Sequence, residues 1–206
     1  MNVAVFTGIR GLEICDRPIP VLERSGDVLL RIETVGVCGS DIHYYTKGRI
    51  GDQIIDHPAT LGHECAGTVM EVGAGVDVLE VGQHVAIDPA ISCGQCDQCQ
   101  QGRAHTCRSL QFLGCPGQAP GAVAEYISIA AESCHPIPDS MTMVQAALVE
   151  PLSVAIHAQR LAWMRPDGTA AILGSGPIGL SVQLAVGALC PSRTFVTDLL
   201  DERLGL

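Results

Sequence analysis

Four cysteines constrain this chain more than any other feature: Cys93-Gly-Gln-Cys96-Asp-Gln-Cys99, with Cys107 returning after seven residues. Four soft thiolates at such spacing can close a tetrahedral zinc shell and leave no position for substrate, so the expected role is structural. The surrounding loop, Ile91 to Cys107, carries Gly94 and Gly102 and little apolar material, and would lack a core without the binding energy of a metal. An iron–sulfur cluster is also compatible with four thiolates. Free surface thiols at this density would invite oxidation. The chain has ten cysteines, and Met1 to Pro20 mixes charges with short apolar runs and lacks the uninterrupted apolar segment of a secretory signal. Metal or redox use is therefore expected rather than a disulfide framework, in a cytoplasmic protein.

Composition excludes several classes. Twelve basic against 22 acidic residues give a formal net charge of -10, which repels the phosphates of nucleic acid. With 47% hydrophobic and 17% charged residues, a packed core is expected, and 206 residues allow one or two domains. The uncharged passage Thr169 to Ser192 is broken by Gly174, Gly176, Pro177 and Gly179 into pieces too short to serve as a membrane anchor.

Period-two patterns rich in β-branched residues predict strands at Val3–Phe6, Val28–Val35, Gly67–Val72, Gln83–Ile87 and Ala124–Ile129, hence a β-rich, barrel-like first domain. From about Met143 the sequence becomes Ala- and Leu-rich, predicting a helical connector with a kink or break at Pro151. Beyond Gly168, an apolar strand Thr169–Leu173, a glycine-rich turn, a helix Pro177–Leu189 and a strand Thr194–Thr197 read as one βαβ unit.

A second set of potential ligands is dispersed: Cys38, His63, Glu64 and Glu150. One thiolate, one imidazole and one carboxylate leave a zinc position open, the arrangement of a catalytic site. Ser40 and His43, just past Cys38, could carry a proton to solvent; the alternative is that Ser40 caps a helix starting at Asp41. Gly174-Ser-Gly176-Pro177-Ile178-Gly179 follows a predicted strand and opens a predicted helix, the context in which backbone amides receive a pyrophosphate. Asp198 closes the next strand, where an acid hydrogen-bonds the ribose 2′-hydroxyl and favours NAD over NADP, although the nearby Arg203 could accommodate a phosphate.

Together these residues resemble the zinc-dependent medium-chain alcohol dehydrogenase family, and the resemblance runs from about Val3 to Arg203. Gly62-His63-Glu64-x-x-Gly67-x5-Gly73-x-x-Val76 fits the family's zinc signature throughout. The resemblance implies α+β and α/β architecture: a GroES-like β-barrel catalytic domain over about residues 1–155, then the start of a Rossmann NAD-binding domain over 156–206. It implies two zinc ions, one catalytic on Cys38, His63 and Glu64, with Glu150 as the family's nearby acid, and one structural on Cys93, Cys96, Cys99 and Cys107. Ser40 and His43 are then the proton relay, and the polyol branch pairs Arg203 with Asp198 while still using NAD. The runs Cys38 to Gly51 and Glu150 to Ala158 look most like the sorbitol (polyol) dehydrogenase branch, in which Tyr44 and Phe112 would line the substrate pocket.

The implied reaction is NAD-dependent oxidation of a secondary alcohol such as sorbitol, L-iditol or xylitol to a ketone by a homo-oligomer, dimer or tetramer. Threonine, butanediol and simple alcohol dehydrogenases share the zinc residues, and a non-catalytic zinc-binding module is the alternative of another class. A Rossmann domain needs about six strands and this chain offers two, so the resemblance also implies the N-terminal part of a longer enzyme or a truncated gene product.

Overall fold

Alternation of apolar residues along the early strands builds the main sheet, and the strand ends bring distant residues together. The computed structural model describes residues 1–190 and 193–205, which fall into two compact units, Met1–Leu148 and Val149–Leu206, each described by itself. The first unit begins with β1 (Asn2–Gly8) and β2 (Gly11–Asp16), an antiparallel hairpin, followed by β3 (Asp27–Gly36). Helix α1 (Gly39–Lys47) leads to the short pair β4 (Arg49–Ile50) and β5 (Gln53–Ile54), then to β6 (Glu64–Val72) and β7 (His84–Ile87). Next come β8 (Ala90–Ile91), α2 (Asp97–Gln100), β9 (Gln111–Phe112), β10 (Tyr126–Ala130), β11 (Cys134–Pro136) and α3 (Met143–Ala147).

The main sheet has the order β10-β3-β6-β7-β11, antiparallel throughout. Successive side chains of a strand face opposite ways. Val28 and Leu30 of β3, Val69 of β6, Val85 and Ile87 of β7 and Ile127 and Ile129 of β10 therefore meet on one face and form the core. All five predicted strands of this region are present, β1, β3 and β6 extending beyond their predicted bounds and β7 and β10 starting later than predicted. Hairpin strand β2, edge strand β11 and the two-residue strands β4, β5, β8 and β9 were not expected.

The long β3–β6 ladder matters most for function. It runs to its last pair, Gly36↔Glu64. Because the strands are antiparallel, the end of β3 and the start of β6 share one edge of the sheet, so the segments carrying Cys38 and His63 leave that edge side by side.

In the second unit, α4 (Val149–Leu161) precedes β12 (Thr169–Leu173), α5 (Pro177–Leu189), β13 (Arg193–Thr197) and α6 (Asp201–Leu204). Strands β12 and β13 pair in parallel from Thr169↔Arg193 to Leu173↔Thr197, and α4 packs on α5, giving the expected βαβ unit. The expected kink at Pro151 is corrected. The helical break lies at Leu148, between α3 and α4, and Pro151 sits in the first turn of α4, where its missing N–H has no intrahelical acceptor to lose. Among the described residues, no helix is long and apolar enough to cross a membrane.

Candidate metal and nucleotide sites

The first cluster forms where β3 and β6 end. Cys38 is the N-cap of α1, with extended backbone, and its N–H donates to Asp41 Oδ2 at 3.0 Å. Ser40 is therefore an interior residue of the first helical turn; the alternative of Ser40 as a cap for a helix starting at Asp41 is overturned, because the helix starts two residues earlier. Gly62 holds the left-handed backbone (φ 94°), and a Cβ there would stand 2.6 Å from Val123 Cγ2, so only glycine delivers His63 to this edge without a shift. Glu64 opens β6 and lays its carboxylate over its cross-strand partner Gly36. One ligand atom each from Cys38, His63 and Glu64 comes within 4.8 Å of the others. Such a set of one sulfur, one nitrogen and one oxygen fits a zinc ion and leaves a coordination position for another oxygen.

Asp41, which the sequence reading passed over, sustains this arrangement. It is buried (7% exposed) and accepts from the backbone of Cys38, and it also takes a backbone hydrogen bond from Gly62. It thereby ties the segments bearing Cys38 and His63 together. Burial raises its pKa, and the Cys38 backbone N–H, the nearby His63 and the Gly62 N–H work in the opposite direction. The Cys-x-x-Asp spacing, that of a capping box, was the available signal. On the other side, the Phe112 ring meets the His63 ring edge to face, with centroids 5.4 Å apart and an interplanar angle of 62°.

The four-cysteine lobe is the excursion between β8 and β9. Its sulfurs lie 3.5 Å (Cys96–Cys99), 3.9 Å (Cys96–Cys107) and 4.0 Å (Cys93–Cys99) apart. Metal–sulfur bonds of about 2.3 Å in a tetrahedron place sulfurs about 3.8 Å apart, so the lobe fits a zinc ion. Backbone N–H groups of Cys93 and Ser109 donate to Cys107 Sγ at 3.3 and 3.4 Å. Such donors favour thiolate over thiol. The Arg108 backbone N–H, then that of Cys99, lowers the Cys96 pKa to about 6, whereas withdrawal from water and the neighbouring thiols raise that of Cys99 to about 11. The Cys93 N–H is the main cause of a lowered pKa at Cys107. Arg108 also grips Asp97 with two parallel hydrogen bonds (2.5 and 2.8 Å), joining the residue after Cys96 to the residue after Cys107. His105, near in sequence, is exposed and lies outside the four-sulfur cluster.

In the second unit, Gly174 (φ 106°) turns the chain out of β12, Gly176 is the N-cap of α5, Pro177 occupies its first turn and Ile178 and Gly179 follow. A Cβ on Gly179 would fall 1.9 Å from the Gly174 carbonyl oxygen, so the turn closes on the helix only with glycine there. This leaves a bare backbone cradle at a helix N-terminus, which fits a pyrophosphate. The Asp198 carboxylate is almost covered (7% exposed) and accepts from Ser175 N–H at 2.7 Å and Leu200 N–H at 3.0 Å, with Arg203 Nη1 3.6 Å away. Those two amides and Arg203 hold its pKa below the usual carboxylate range. Two of its lone-pair positions are thus spent on its own chain, and the rest remain for a sugar hydroxyl.

The remaining predicted residues fall as follows. Ser40 is half-buried on α1 beside Cys38, and His43, one turn further along the same face, is exposed. Tyr44 is packed with Phe6, Ile55 and Leu61 and is 4% exposed; its hydroxyl donates to Gln53 Oε1 at 2.8 Å, and Gln53 Nε2 donates to the Cys115 sulfur at 2.7 Å. Burial pushes the Tyr44 phenol pKa up. Phe112 is half-buried against His63. Glu150 belongs to the second unit, half-buried in the first turn of α4.

Comparison with known proteins places these features in context. Residues 24–139 match the family model of the alcohol dehydrogenase GroES-like domain. The chain is 42% identical over 204 residues to sorbitol dehydrogenase of Bacillus subtilis, an alignment that covers 99% of this chain and 57% of that protein. Among solved structures, L-idonate 5-dehydrogenase from Escherichia coli superposes with a TM-score of 0.89 at 30% identity, covering 99% of this chain and 59% of that one. An Escherichia coli protein described as a short chain alcohol dehydrogenase, complexed with NADH, has a TM-score of 0.88 at 31% identity and covers 100% and 58%. The chain thus spans somewhat more than half the length of these relatives.

Proposed function

This chain belongs to the zinc-dependent medium-chain alcohol dehydrogenase family, and on that premise we propose that it carries the metal site and the opening of the nucleotide site of an NAD-dependent polyol dehydrogenase. The observation that carries the reading is the meeting of Cys38, His63 and Glu64 at one sheet edge, apart from a complete four-thiolate lobe. In the first cluster a zinc ion would supply a Lewis acid that makes a substrate hydroxyl more acidic. The lobe, with four sulfurs of its own, serves the fold.

The chain's own groups supply the rest. The Ser40 hydroxyl accepts the proton released by the alcohol and passes one to His43, whose exposed imidazole returns it to water. Glu64 provides the carboxylate ligand of this cluster. Of the two aromatic residues assigned to substrate, Phe112 is half-buried and Tyr44 is buried with its hydroxyl on Gln53. Gly174, Gly176, Pro177, Ile178 and Gly179 cradle the pyrophosphate of NAD, while Asp198, partnered by Arg203, accepts a ribose hydroxyl. The substrate class is a polyol of the sorbitol, L-iditol or xylitol type, in a cytoplasmic homo-oligomer.

Metal analysis tests this reading. The chain is expected to hold about two zinc ions, Cys38→Ala about one, with the four-thiolate site still filled. One zinc in the unaltered chain, or loss of both in Cys38→Ala, overturns it. NAD against NADP titration and turnover of sorbitol, threonine and butanediol by the protein then separate the polyol assignment from its relatives.

A further inference from the structure

Phe112 follows the last thiolate of the lobe, Cys107, by five residues, and its ring meets that of His63. An imidazole ligand binds well only when the rest of its ring is held at the right angle, and the groups around the ring set that angle. On His63, the Phe112 ring is one such group, 5.4 Å away and edge to face. Phe112 is carried by β9, whose ladder with β8 consists of two pairs, Ala90↔Phe112 and Ile91↔Gln111, with Leu113 N–H donating to Pro89 carbonyl just beyond (2.9 Å). Everything between those strands, Ser92 to Leu110, is the thiolate lobe, in which Cys107 is the one buried residue. Such a lobe has no apolar core of its own, so its order depends on what its sulfurs hold.

We propose that Phe112 is a positioning residue for the His63 imidazole and that the four-thiolate lobe, when it holds metal, keeps Phe112 in place. Metal in the lobe thereby strengthens metal binding at Cys38, His63 and Glu64. The proposal rests on the reading that both clusters bind zinc. It goes beyond that reading by coupling them, and it gives Phe112 a task other than touching substrate.

Cobalt(II) titration of the whole protein is the test, because a four-sulfur site and a site with one sulfur have different ligand-field bands and can be followed separately. In the unaltered chain both sets of bands appear; absence of the one-sulfur set would refute the two-site reading itself. Phe112→Ala is expected to weaken cobalt at the one-sulfur site about 10-fold and shift its bands, with the four-sulfur bands unchanged, and Phe112→Tyr to restore both. Cys107→Ser is expected to produce the same weakening, and the double variant no more than either single change. Should Cys107→Ser fail to fold, stepwise titration of the unaltered chain decides the coupling: filling of the lobe must precede and tighten filling of the second site. Unchanged cobalt affinity and bands in Phe112→Ala, with only KM for the alcohol raised, would overturn the positioning role. Independent filling of the two sites would overturn the coupling.

Discussion

Gly36→Ala isolates the contribution of Glu64 from that of the fold. A Cβ at Gly36 would stand 2.4 Å from Glu64 Oε2 and 3.0 Å from Glu64 Cβ. The shortest ordinary carbon–oxygen approach is about 3.3 Å, so the carboxylate must retreat by roughly 0.9 Å. Metal sites tolerate displacements of about 0.2 Å, and disturbed ligand orientation typically costs about 10- to 100-fold in affinity. That range corresponds to about 1.4–2.8 kcal/mol of zinc binding at the Cys38 cluster. The backbone of Gly36 lies outside the left-handed region, so alanine restricts the unfolded chain and by itself favours folding by about 0.4–1 kcal/mol. Zinc content and competition against a chromophoric chelator are expected to show one site weakened and the lobe intact, while urea unfolding of the metal-free chain changes by less than about 1 kcal/mol. Two zinc ions held at unaltered affinity would refute Glu64 as a ligand in this position. A metal-free chain weakened by more than about 2 kcal/mol would show that the strands, not the carboxylate, absorb the clash.

Three other perturbations address the remaining parts. Gly179→Ala places a methyl 1.9 Å from the Gly174 carbonyl oxygen and must open the turn; calorimetric titration is expected to show NAD binding lost by about 100-fold, and an unaltered Kd would sink the cradle assignment. Arg108→Gln breaks the two-pronged grip on Asp97, so the lobe is expected to release zinc to a chelator about 10-fold faster, with Asp97→Asn matching it and the double variant adding nothing; equal release rates refute the clasp. Asp198 has a folded pKa held below its ordinary value, so its carboxylate favours the folded second unit above about pH 4, and that contribution is lost as pH falls through the lowered value. Melting of this unit followed by circular dichroism is expected to fall more steeply with acid in the unaltered chain than in Asp198→Asn; parallel acid profiles would count against it.

Features whose chemistry is contained in a short stretch were legible in the sequence. The thiolate lobe spans Cys93 to Cys107, and its spacing alone implies a four-sulfur shell. The glycine turn announces its own helix, and the predicted bounds Pro177–Leu189 are those of α5, because Pro at the first turn and glycine at the cap are local backbone requirements. What only the tertiary structure decided is nonlocal. The convergence of Cys38 with His63 and Glu64 depends on the β3–β6 register, whose final pair Gly36↔Glu64 is set by packing of the whole sheet. The brace at Asp41, the covering of Tyr44 and the contact of Phe112 with His63 depend on side chains far apart along the chain, about which periodicity is silent. The helical break at Leu148 rather than Pro151 has the same origin, since a proline breaks a helix only where a backbone N–H would otherwise be bonded, and where the helix begins is settled by what it packs against.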